Sequence, residues 1–219
     1  MAVRLAVFDC DGTLIDSQLN IVRAMTDSFR RVGLAEPDPH QVRQIVGLSL
    51  FEAMSVMLPD GDPALQSRLA EEYRLSFQRL RAEGALVGEP LYPGVRDGLA
   101  ELAARGWLLG VATGKSDRGL AMVLADHGIT DRFITLQTAD RHPSKPDPSM
   151  LRLAMADAGA DAAATVMIGD TRFDMTMAIN ADVRAIGVDW GYHTRAELAA
   201  AGADVVVRDF AELLAALDA

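Results

Sequence analysis

Apolar positions follow two rhythms along this chain. VRLAVF, Val3 to Phe8, is a short unbroken apolar run rich in β-formers, the pattern of a strand buried on both faces. From Asp16 to about Gly88 the spacing turns helical. Asp16 or Ser17 is placed to cap a helix on which Ile21, Val22, Met25, Phe29 and Val32 recur one helical turn apart, with Gly33 to end it. Asp38 with Pro39 opens a second helix that stops near Gly47. Ser49 with Glu52 reads as a capping box for a third, closed by Pro59, and Asp62 with Pro63 starts a long fourth through Leu65, Leu69, Tyr73, Phe77 and Leu80.

After LYPGV the pattern alternates. Helices are expected around Val95 to Ala104, Asp117 to Asp126, Pro148 to Ala158 and Asp174 to Asn180, then at RAELAAAG and FAELLAAL. Strands are expected at WLLGVAT, near Phe133 to Leu136, and at ATVMIG, RAIGV and DVVV. Such alternation predicts a parallel sheet covered by helices on both faces. The fold class is therefore α/β, a Rossmann-like core of residues 1–15 and 89–219, with a four-helix unit of residues 16–88 inserted after the first strand.

Composition narrows the partners. In 219 residues, half hydrophobic and about a quarter charged, a packed core is expected and wholesale disorder is not. A formal net charge of −10 disfavours non-specific binding to nucleic acid or an anionic membrane. No apolar run approaches a spanning helix, and Ala2 to Phe8 lacks the length of a secretory peptide's apolar region. The lone Cys10 leaves no disulfide framework and no cysteine zinc cage, which suits a reducing, cytoplasmic setting.

In open parallel sheets, ligands bind beyond the carboxyl ends of the strands. Four segments bring polar groups to that edge: Asp9 and Asp11 after the first strand, Thr113, Gly114 and Lys115 after WLLGVA, Lys145 in HPSKPDP, and Asp170 and Asp174 after ATVMIG. An aspartate after a strand is by itself an ordinary turn or cap residue, but here several coincide. Up to four carboxylates gathered together repel one another unless a cation joins them, and an all-oxygen ligand set favours Mg²⁺ over Zn²⁺. Lys145 adds positive charge, and the Thr113 hydroxyl and Gly114 amide can hold phosphate oxygens. One carboxylate is then free to attack phosphorus, and another to move a proton.

DCDGT with Leu14, then Thr113–Gly114, Lys145–Pro146, and GDTRFD from Gly169 to Asp174 resemble, in order, the four-part signature of the haloacid dehalogenase superfamily. The insertion after the first motif is similar to that superfamily's first type of cap. NADVRAIGVDWGYH is similar to its phosphoglycolate-phosphatase-like branch. The resemblance implies Asp9 as nucleophile and metal ligand, and Asp11 as general acid and base whose backbone carbonyl also binds Mg²⁺. It further implies phosphate binding by Thr113 and Gly114, charge neutralisation by Lys145, metal ligation by Asp170, and Asp174 as a ligand directly or through water. The substrate expected is a small phosphorylated metabolite, and the chain a monomer or homodimer. Asp182 stands where that branch usually carries glycine; Cys10 reads as a packed small side chain and His142 as a loop histidine.

Several alternatives bear on this expectation. GVATGKS has three residues between its glycines where the phosphate loop of nucleotide triphosphatases needs four. A receiver-type signalling domain also phosphorylates an aspartate, but lacks the insertion and the GDxxxD segment. A dehalogenase needs neither Asp11 nor a metal. A sugar phosphomutase or a pyrophosphatase on the same scaffold stays open, with Thr13 after Gly12 closer to the phosphatases. In the insertion, VGLSL resembles a substrate-facing loop, making Arg43, Gly47 and Ser49 candidate substrate contacts, against a plain helical Arg43 and a capping Ser49.

Overall fold

The computed structural model describes residues 3–218. Its sheet has six parallel strands, β1 Arg4–Phe8, β2 Trp107–Thr113, β3 Thr135–Thr138, β4 Thr165–Gly169, β5 Arg184–Val188 and β6 Val205–Val207, in the spatial order β3-β2-β1-β4-β5-β6. The chain order reverses on either side of β1, so the crevice beyond the carboxyl ends of β1 and its neighbours β2 and β4 is where such a sheet holds ligands. The alternation along β1 shows why the sheet is buried on both sides. Ala6 and Phe8 enter one apolar layer with Val95, Leu99, Leu120 and Phe210, while Leu5 and Val7 enter the other with Met150, Leu151, Met175 and Leu198.

Helices α5 Val95–Ala104, α6 Asp117–Asp126, α7 Ser149–Ala158, α8 Arg172–Asn180, α9 Arg195–Ala200 and α10 Phe210–Leu217 cover the two faces. Between β1 and α5 lie α1 Gln18–Arg31, α2 Pro39–Gln44, α3 Leu50–Met57 and α4 Pro63–Ala82. These four bury their own cluster, including Met25, Phe29, Val42, Met54 and Leu69, to which Tyr192 is the contribution from outside the insertion.

Several expectations shift. The third strand starts at Thr135, because residues 130–132 form a 3₁₀ turn that carries the chain past Phe133. Ser17 precedes α1 but its side chain makes no capping bond; the hydroxyl donates to Asp11 instead. Ser49 forms no capping box with Glu52, since the turn it belongs to is seated on the sheet domain, with the Ser49 amide donating to Ser144 Oγ at 2.7 Å. Asp182 has a positive φ of 57° at the end of α8. There Val183 N–H reaches back to the Ala178 carbonyl at 2.9 Å, the closing bond of a helix that ends through a left-handed residue.

Candidate active site

Three of the polar groups gather at the sheet edge because they sit one residue past, or at the last residue of, a central strand. Asp9 follows β1, Thr113 ends β2 and Asp170 follows β4. Asp9, Asp170 and Asp174 are fully buried, and one carboxylate oxygen from each lies within 4.8 Å of the others. Lys145 reaches them from the loop before α7, with Nζ 3.0 Å from Asp9 Oδ1 and 2.6 Å from Asp174 Oδ1.

The bonding of each carboxylate distinguishes its capacity. Asp170 accepts from Thr13 Oγ1 at 2.8 Å and from the Tyr192 amide at 2.9 Å. Asp174 gives one oxygen to Lys145 and the other to the Thr171 amide and hydroxyl at 3.0 and 2.7 Å, so it closes the capping box of α8 while it orients the lysine. Asp9 Oδ1 accepts from the Cys10 amide at 2.7 Å, but Asp9 Oδ2 is buried without a hydrogen-bond partner. A buried orphan oxygen is costly unless something polar or charged completes it.

The electrostatics point the same way. Burial pushes the Asp9 carboxyl up to about 7, against the lowering pull of Lys145, and burial with the fields of Asp9 and Asp174 holds Asp170 well above the usual carboxylate range. Burial opposes the Lys145 ammonium, yet Asp174 and Asp9 outweigh it and hold its pKa above the ordinary lysine value. With Asp9, Asp170 and Asp174 ionised, Lys145 leaves two negative charges of the cluster uncompensated. That deficit and the all-oxygen donors fit a hard divalent cation, with Asp9, Asp170 and Asp174 as the residues that could hold it. The Asp11 side chain is outside this cluster and turned to Lys115, so it offers no carboxylate there; only its backbone carbonyl is left for that role.

Residues 6–188 match the family described as haloacid dehalogenase-like hydrolase. The chain belongs to that family. It is 38% identical to the "Probable phosphatase IndB" of Dickeya dadantii (strain 3937), covering 98% of this chain and 94% of that one. It is 31% identical to the phosphoglycolate phosphatase of Vibrio vulnificus (strain CMCP6), covering 97% and 95%. A crystal structure described as a predicted phosphatase from Clostridium acetobutylicum superposes on it with a TM-score of 0.88 over the whole of both chains, at 24% identity, a likeness of fold. Within the haloacid dehalogenase-like hydrolases, this chain is a phosphatase of the phosphoglycolate-phosphatase-like branch.

In this hydrolase the Asp11 carboxylate is clamped from two sides. Lys115 Nζ lies 2.7 and 3.0 Å from its two oxygens, and Ser17 Oγ donates at 2.5 Å while lying 3.1 Å from the Tyr192 hydroxyl. Burial works against the Lys115 ammonium, but Asp11 raises its pKa and keeps it charged. The sequence placed Lys115 at the sheet edge and Ser17 as a possible helix cap, and assigned neither to Asp11. The signal available was the position of Lys115 beside Thr113 and Gly114; Ser17 is 6 residues beyond Asp11, and only folding of the intervening turn brings them together.

Two glycines are required by close approach. Gly12 has φ 88°, and a Cβ there would stand 2.1 Å from Asp170 Oδ2, so the turn after Asp11 is open only to glycine. A Cβ on Gly114 would stand 2.5 and 2.6 Å from the Leu48 and Gly47 carbonyl oxygens, which shows how tightly the VGLSL turn presses on the loop after β2. Gly47 and Ser49 line the cavity between the helical unit and the sheet, together with Asp9, Asp11, Thr113 and Gly114. Arg43 is not among its lining residues. Its guanidinium lies against the Gln18 amide, whose oxygen accepts at 2.8 Å when turned toward it, because α2 directs this side chain to α1 rather than inward. His142 bonds Ser149 and Gln137 at 3.1 and 2.9 Å, a loop-fixing role, and Cys10 is packed in the core, where burial pushes its thiol up.

Proposed function

We propose that this hydrolase is a Mg²⁺-dependent phosphatase of small-molecule phosphate monoesters that works through an aspartyl phosphate on Asp9. The observation that carries the reading is the unequal bonding of the two aspartates of DCD. Asp9 presents one free oxygen amid Lys145, Asp170 and Asp174, whereas Asp11 is held away from them by Lys115 and Ser17. One is free to attack and the other is kept to handle a proton.

The bound cation supplies charge neutralisation, allowing a phosphate dianion beside a carboxylate. Thr113 and Gly114 hold the non-reacting phosphate oxygens, and Lys145, oriented by Asp174, offsets their charge. Asp9 Oδ2 attacks phosphorus as the bond to the leaving oxygen breaks, and Asp11, entering this step as the carboxylic acid, gives that oxygen its proton and is left as the carboxylate. Asp11 then takes a proton from water as the water attacks the aspartyl phosphate, freeing inorganic phosphate and restoring Asp9. The helical unit of residues 16–88 acts as the cap that covers the reacting phosphate, with the turn at Gly47 and Ser49 facing substrate.

The test is p-nitrophenyl phosphate turnover with Mg²⁺. Activity should vanish in EDTA, and Asp9→Asn should lower kcat by at least roughly 10³-fold while Mg²⁺ still raises the thermal midpoint. Full activity in Asp9→Asn would remove it as nucleophile.

A further inference from the structure

The cavity that joins the helical unit to the proposed phosphate site is about 660 Å³, a size for a drug-like molecule rather than a two- or three-carbon acid. It is bounded on the catalytic side by the VGLSL turn pressed on Gly114 and bonded to Ser144, so it is a chamber under a seated cap. Its inner wall is apolar: Ile21, Met25, Ile45 and Val46 are buried there, and Tyr73, Phe77 and Met122 are half-buried along it.

Charge is distributed against a short anionic leaving group. Lys115, the lysine of the wall, is paired with both oxygens of Asp11. The arginines of the cavity, Arg74, Arg81 and Arg118, are exposed to solvent at its margin. A carboxylate close behind the phosphate would lose its hydration against apolar side chains, with Lys115 already paired to Asp11 and the arginines out at the solvent margin, which is unfavourable. What the wall does present is ring-binding surface. Tyr73 and Phe77 stand on successive turns of α4 with ring centroids 6.0 Å apart at 55°, the Arg81 guanidinium lies 5.6 Å from the Phe77 ring, and Met122 Sδ meets Arg81 at 2.9 Å. Tilted rings, a thioether and a planar guanidinium are the surfaces against which another planar ring packs well.

We propose that the physiological substrate is a phosphate monoester that carries a planar, largely apolar ring, held between the α4 aromatics and Met122, and not phosphoglycolate. This rests on the phosphatase reading above. The test compares alkyl esters of similar leaving-group acidity: ethyl phosphate, phosphoglycolate, benzyl phosphate and 3-phenylpropyl phosphate, each assayed by phosphate release with Mg²⁺. Ring esters should exceed ethyl phosphate and phosphoglycolate in kcat/KM by at least about tenfold, the discrimination that apolar side-chain contact provides. Phe77→Leu, which keeps apolar volume but removes the ring, should lower kcat/KM for ring esters by about fivefold and change ethyl phosphate by less than about twofold. Met122→Ala should act in the same direction, and the wild-type panel is informative without either variant. Phosphoglycolate or ethyl phosphate matching the ring esters, or Phe77→Leu lowering all four esters alike, overturns the proposal while leaving the phosphatase reading standing. No Mg²⁺-dependent release from any ester, p-nitrophenyl phosphate included, overturns both.

Discussion

At the residue scale, two aspartates separated by one residue receive different environments: strand alternation would put both on one side, but β1 ends at Phe8 and the chain has turned toward Gly12, φ 88°, by Asp11. Asp9 turns into the acidic cluster with an orphan oxygen, and Asp11 turns to Lys115 and Ser17. The motif DCDGT made both visible as candidates, but the partner that clamps Asp11 comes from 104 residues away. Lys115→Met leaves Asp11 held by Ser17 alone. Steady-state kinetics on p-nitrophenyl phosphate should then show kcat lower by about 10- to 100-fold with KM nearly unchanged, as expected for a proton-handling group set loose in the pocket. An unchanged kcat would mean that the Lys115–Asp11 pair serves only packing.

At the scale of elements, strands and helices were legible where periodicity and punctuation agreed, as for β1, β2 and α4 with its Asp62 cap bonded to the Leu65 amide at 2.7 Å. Their caps differ from expectation where a side chain or turn expected to serve its own helix is drawn to another partner. Ser17 leaves α1 for Asp11, and the Ser49 turn bonds Ser144. Asp182 is the opposite case, a residue whose local duty is its whole role, since the left-handed end of α8 needs a short polar side chain or glycine there. Asp182→Ala should therefore cost roughly 1 kcal/mol, seen as a midpoint lower by about 2–4 °C in thermal unfolding. Activity should stay the same.

At the scale of the whole molecule, the acidic site sets folding against function. Asp9 and Asp170 bind protons more readily folded than unfolded, because their folded pKa values are raised. The stability this contributes is complete below the unfolded value near 3.8 and is lost as pH rises through the folded value of about 7 for Asp9. In EDTA the thermal midpoint should therefore fall by several degrees between pH 5 and pH 8, the size expected from roughly 1–2 kcal/mol in a chain of this length. Saturating Mg²⁺ at pH 8 should recover about 5–10 °C, corresponding to roughly 2.7 kcal/mol at a hundredfold excess over Kd. Asp9→Asn should flatten the EDTA profile. A midpoint in EDTA that rises from pH 5 to pH 8 would contradict this account of the site.

The sequence alone determined the alternating architecture, the helical insertion after β1 and the four segments that carry acidic, hydroxyl and lysine side chains to one sheet edge. These are local properties: apolar periodicity, capping chemistry and the position of a polar residue relative to a strand end. Tertiary structure alone decided which of those side chains touch. It gave Asp174 to Lys145 and Thr171, Asp11 to Lys115 and Ser17, Arg43 to α1 instead of the cavity, and the ring-lined wall of α4 to the chamber over Asp9. The physical reason is that a carboxylate's or arginine's partner is chosen by proximity in three dimensions, where strand order and the seating of the helical unit bring together residues that no spacing along the chain connects.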